Sequence, residues 1–216
     1  EGGAEEEFTT TGNKSHTYAA QGIYQVKVRG GLTAISFNNG GDKLKLTYID
    51  QWGSIKWSTM RSVFYGCANM TGNYLDQPNT SSVMFMSDTF RGCSLFNQSV
   101  AHFDTSFAIA TYGMFQGCSL FNQSVSNFDT SSVESMSYMF LDCSSFNQSV
   151  ANFNTSSVTT MVEMFKNCSL FKQSLATFSL ASATNISNML AGSDINEVGT
   201  TTNYDATLVA WAAADV

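Results

Sequence analysis

Proline is almost missing from this 216-residue chain, with Pro78 the only one. Histidine is scarce too, limited to His16 and His102, and charged residues make up 12%, about half the ordinary share. Each shortage excludes something. Neither histidine lies in a nucleophile motif with Ser or Cys, so no catalytic pair forms and no enzymatic activity is expected. Ten Lys and Arg against seventeen Asp and Glu leave a net charge of −7, which argues against nucleic acid, because phosphate binding needs clustered basic residues. There is no run of about 18 apolar residues, so no part of this chain is expected to insert into a membrane. The five cysteines are an odd number and form no CxxC pairs; neither a metal nor a cofactor is expected. Glu1 opens the chain without a signal-peptide pattern, as a mature or trimmed segment would.

What the chain does have is repetition. Ser-Leu-Phe-Asn-Gln-Ser-Val begins at Ser94 and Ser119 and returns, slightly altered, at Ser144 and Ser169. Cysteines fall at Cys67, Cys93, Cys118, Cys143 and Cys168, each three residues after Phe64, Phe90, Phe115, Phe140 and Phe165. The spacing is constant from Cys93 onward and slightly longer between Cys67 and Cys93. Such a period, about 25 residues, marks stacked repeats, and these Phe and Cys columns read as a structural ladder, the thiols packing as small apolar groups. Counting a weak first turn around Trp57 and a degenerate last one at Ala183, Ile186 and Met189, there are six turns.

Within one repeat, Val158, Met161, Met164, Phe165 and Cys168 stand at i, i+3, i+6, i+7 and i+10, a helical stripe. Asn154-Thr-Ser-Ser supplies N-cap candidates, and Gly92, Gly117, Asp142 and Asn167 suit a left-handed helix end. Phe146, Val150 and Phe153 suggest a short strand facing the core. The expected fold is therefore an α/β repeat solenoid, leucine-rich-repeat-like, with one short strand and one short helix per 25-residue turn over residues 54–195. Ahead of it, residues 1–15 read as an acidic tail and 16–53 as a β-rich N-terminal cap. That cap has strand-like runs from Tyr24, Leu32 and Lys43 and a turn at Asn38-Asn-Gly-Gly. Residues 196–216 read as a C-terminal capping helix. Helices need about 10 Å of width, which should curve the array and hold successive cysteines beyond disulfide reach.

Several polar columns invite a function. Asn79, Asp104, Asp129 and Asn154 could stack carboxylates around Ca²⁺; closure of each residue's own turn is the expected role, because only two of the four are charged. Thr80, Thr105, Thr130 and Thr155, followed by Ser81, Ser106, Ser131 and Ser156, could form a hydroxyl array matching an ordered lattice, or could cap helices. Candidate ligand-binding residues beside the strand are Gln98, Gln123, Gln148 and Gln173 with Ser99, Ser124, Ser149 and Ser174. His102, Asn127, Asn152 and Thr177 join them as a column that varies from turn to turn.

The Phe-Asn-Gln step, the aromatic-Asp-Thr-Ser step, the Val-x-x-Met-x-x-Met-Phe stripe and the Gly-Cys end together resemble a known family. They are similar to bacterial surface-protein repeats of about 26 residues, related to BspA-like leucine-rich-repeat proteins. The resemblance covers roughly residues 50–195 and is most complete from Asn122 to Cys143. It implies a non-enzymatic, adhesin-like extracellular module at a cell surface, binding a protein or glycan along the repeated strand face. The alternative is a structural subunit that assembles with copies of itself into a surface layer or filament.

Overall fold

The computed structural model describes residues 22–27, 32–74 and 76–196. The chain divides into Glu1–Gly30 and Gly31–Val216. In the first unit, residues 22–27 are exposed and have no regular structure.

The helix-and-strand repeat does not form. Among the described residues there is no α-helix, only 3-10 turns at Lys43–Lys45 and Asp194–Asn196, and two short parallel strands, β1 (Tyr48–Ile49) and β2 (Thr71–Gly72). The helical stripe is instead a run of tight turns. Met164, Lys166 and Cys168 donate their N–H groups three residues back, to Met161, Glu163 and Phe165. The alternate N–H groups of Met161, Glu163, Phe165 and Asn167 reach the next pass of the chain, at the carbonyls of Asn185, Ser187, Met189 and Ala191, 2.8–2.9 Å away. A helix needs every N–H for its own i−4 carbonyl. Here half of them hold one coil to the next.

The backbone also leaves the helical path twice per coil. Tyr138, Glu163 and Asn188 have φ of 61, 54 and 55°, and Asp142, Asn167 and Gly192 have 61, 59 and 74°. A left-handed residue inside the stripe cannot continue a right-handed helix. The i, i+3 spacing arises equally from consecutive turns that close over three residues, so the apolar pattern is the same while the hydrogen bonding differs.

The expected strand at Phe146–Phe153 is likewise absent. Parallel bridging runs through the supposed helix instead, linking Phe85, Ala110, Ser135, Thr160 and Asn185 in series. In the expected β-rich cap, Lys43–Lys45 is a 3-10 turn rather than a strand, and β1 has two residues. The turn at Asn38 and Asn39 has φ of 42 and 56°. Phe37 and Asn39 donate to Val63 and Tyr65 just as Phe64 and Gly66 donate to Thr89 and Arg91. The segment is thus one more coil. The capping helix assigned to 196–216 lies, beyond Asn196, outside the described residues.

Coils stack at the spacing of rings, not of helices. Phe64, Phe90, Phe115, Phe140 and Phe165 form a column with centroids 5.5–5.7 Å apart and planes within 13°. A second column, Phe96, Phe121, Phe146 and Phe171, repeats at 5.9–6.0 Å. The two columns meet inside each coil at 4.1–4.2 Å. Full burial of each ring is worth about 1.5–3 kcal/mol, and offset ring pairs add about 0.5–1.5 kcal/mol.

The helix-wide separation expected of the cysteines falls with the helix. All five are free and buried, and Cys93, Cys118, Cys143 and Cys168 donate Sγ–H to the carbonyls of Phe64, Phe90, Phe115 and Phe140 at 2.9–3.0 Å.

Candidate functional site

The repeated glutamines hold one coil to the next, and the repeated serines close turns within their own coil. Gln123, Gln148 and Gln173 donate Nε2–H to the Oδ1 atoms of Asn97, Asn122 and Asn147 at 2.9–3.1 Å. Those same oxygens accept the backbone N–H groups of Asn122, Asn147 and Lys172. Gln98 heads this column, half-buried. Ser99, Ser149 and Ser174 accept the N–H groups of Ala101, Ala151 and Ala176, and Ser124 accepts that of Ser126. Asn127 and Asn152 donate Nδ2–H to two carbonyls each on the preceding coil, at Val100 and Phe103 and at Val125 and Phe128. His102 and Thr177 are simply exposed. No strand runs beside these residues.

The threonines neither cap helices nor face a lattice. Thr80, Thr105, Thr130 and Thr155 are at most 2% exposed. Their hydroxyls donate to the carbonyls of Asp104, Asp129, Asn154 and Ser179, and those of Thr80, Thr130 and Thr155 also accept an N–H from the same residue of the next coil, at 2.7–2.8 Å. Asp104, Asp129 and Asn154 close their own turns on the N–H and hydroxyl of Ser106, Ser131 and Ser156. Both Ser131 contacts hold the Asp129 carboxyl below its usual pKa.

Chemistry that does not repeat gathers on the bridged face instead. One column there reads Arg61, Ser87, Tyr112, Ser137, Val162, Ser187, its large residues exposed or half-exposed and Ser87 and Ser137 buried; the next reads Ser62, Asp88, Gly113, Tyr138, Glu163, Asn188. At the first coils these positions converge. The Arg61 guanidinium lies 4.9 Å over the ring of Phe85, and that of Arg91 lies 5.0 Å over Tyr65. Arg91 pairs with Asp88 at 3.2 Å, both side chains being partly shielded from solvent. Tyr112 and Tyr138 meet edge-on at 5.1 Å.

Gly113 makes room for this arrangement. A Cβ there would stand 2.7 Å from Asp88 Oδ1, and its φ is +58°. Burial raises the pKa of Asp88, opposed by Arg91 and Arg61, and burial likewise raises that of Tyr112, with Tyr138 adding to it. The cluster brings together two cations, one shielded carboxylate and exposed rings. The sequence signal for it was variation: these columns differ at nearly every coil within a motif that otherwise repeats.

The family model described as "Mycoplasma protein of unknown function, DUF285" matches the chain twice, over residues 34–119 and 102–203. No curated protein and no solved structure matches it.

Proposed function

The chain belongs to that family, DUF285, and from this premise we propose that it is a non-enzymatic binding module at a cell surface, taking a protein or glycan on the bridged face. The finer resemblance to BspA-like leucine-rich-repeat surface proteins supports an extracellular, adhesin-like setting. One observation carries the reading: residues such as Phe85 and Tyr112 vary from coil to coil and remain more than a third exposed, while the columns that stitch the stack repeat. Exposed aromatic and Arg side chains are the usual anchors of an interface. Gln123, Gln148 and Gln173 are committed to the preceding coil and the repeated serines to turns of their own coil, which leaves both columns little to offer a partner. The test is an array of glycans and matrix proteins probed with the intact chain. Binding should weaken at least tenfold in Tyr112→Ser, a residue the column already holds at Ser137; no binding anywhere on the array, or binding indifferent to that change, overturns the proposal.

Assembly with copies of itself is the second reading. Its support is the last coil, where among the described residues the N–H groups of Ile186, Asn188, Leu190 and Gly192 donate to no acceptor. Ile186 is 37% exposed where Met136 and Met161 are fully buried. Open edges of this kind are templates for pairing. Light scattering of the purified chain decides it: growth of mass with concentration supports assembly, and a constant monomer mass rejects it.

A further inference from the structure

The chemistry around Asp88 also narrows the ligand, on the premise of the binding role proposed above. Phe85 occupies a column filled elsewhere by Ala110, Ser135 and Thr160, and Tyr112 one filled elsewhere by Ser87 and Ser137. The stack does not need either ring, yet they are 37% and 38% exposed. Leaving apolar ring area in water forgoes about 25 cal/mol per Å² of burial, a cost that a bound partner would recover. Two of the chain's three arginines stand here, on adjacent coils. Arg91 forms the ion pair with Asp88; Arg61, whose charge also acts on that carboxylate, makes no ion pair among the described residues, so two guanidiniums face one carboxylate.

We propose that this patch binds a sugar unit bearing a single carboxylate, a uronic acid at a glycan end. Arg61 takes the carboxylate, the exposed rings of Phe85 and Tyr112 cover the C–H face, and the Asp88–Arg91 pair serves ring hydroxyls as acceptor and donor. The charge sets the number of carboxylates. One guanidinium is unneutralised, and a chain of net charge −7 repels a polyanion while a lone carboxylate responds mainly to the cation it touches. An acidic peptide would also satisfy Arg61, but an exposed ring beside a paired carboxylate and guanidinium matches the C–H face and neighbouring hydroxyls of a sugar.

The test titrates the intact chain, followed by NMR, with a disaccharide ending in glucuronic acid and with its glucose-ended counterpart, which lacks only the carboxylate. The acidic sugar should bind at least tenfold more tightly, and Arg61→Gln should reduce it to the level of the neutral one. Tyr112→Ser, whose new residue the column already holds at Ser137 and which leaves the seat of Arg61 on Phe85 intact, should weaken both sugars about equally. Equal affinity for the two sugars, or undiminished binding in Arg61→Gln, overturns the inference. Were an acidic peptide to bind through Arg61 while both sugars failed, the binding module would stand and the sugar would not; failure of every ligand on the array would remove both.

Discussion

Replacing Thr130 by valine and, separately, by serine distinguishes a stitched stack from a capped helix. The Thr130 hydroxyl accepts the N–H of Asn154 at 2.8 Å and donates to its carbonyl at 3.0 Å, from a side chain 2% exposed. Valine keeps the shape and strands both backbone groups. Each costs about 1–3 kcal/mol when fully buried, and because the contact is only part-buried, a total of about 2 kcal/mol is the reasonable figure. Serine keeps both bonds and loses one methyl, worth about 0.8 kcal/mol. In a chain of this length about 2 kcal/mol lowers Tm by roughly 4–8 °C. For a helix N-cap, valine would cost about 1 kcal/mol and serine nothing, since serine caps at least as well. Urea and thermal unfolding of the two variants supply the answer. The reasoning fails if Thr130→Val unfolds within about 0.5 kcal/mol of the parent, or if serine is as damaging as valine.

Phe140 lies at the centre of the ring column, with neighbours at 5.6 and 5.5 Å and no exposed surface, so Phe140→Asp should abolish the cooperative unfolding transition; a sharp, unshifted transition would refute the stack. Gly113→Ala forces a Cβ into left-handed backbone and against Asp88, and should cost about 1–2 kcal/mol by thermal unfolding, whereas an unchanged midpoint would deny both the strain and the contact. The thiols should react little until the chain unfolds and then titrate as about five per chain without reductant. Burial pushes Cys67 and Cys168 from about 9 up to about 12 and raises the other three as well. The folded state therefore keeps protons that the unfolded state releases. The thiols' contribution is whole below pH 9 and is lost as pH climbs towards 12, and Cys→Ala variants should flatten that loss in a pH series of urea midpoints.

The period was legible because rings and thiols must meet their equivalents in every coil, which permits little drift at Phe115 or Cys118. The local structure was not. Apolar residues three apart serve a run of turns as well as a helix, and a left-handed residue in each coil separates the two; Gly113 and Asn188 suit that backbone, but Tyr138 and Glu163 in the same column do not announce it. The extra coil at Phe37 escaped notice because the interval from Phe37 to Phe64 is longer than the one that spaces the other rings. At the candidate site, repetition reports the stacking of coils. Gln123 and Gln148 repeat because each must reach the Asn of the coil before it. The Arg61–Asp88–Tyr112 cluster is unrepeated, and its residues lie far apart along the sequence until stacking brings them together.

Each coil spends a whole repeat to advance the stack by one bridged-strand spacing, about 4.8 Å, which two extended residues at about 3.3 Å each would exceed. A duplication of one coil therefore adds almost no reach, yet it adds a full band of side chains around the circumference. Length variation in such a chain changes how much wall it displays, with the new band free to mutate wherever it does not touch the rings.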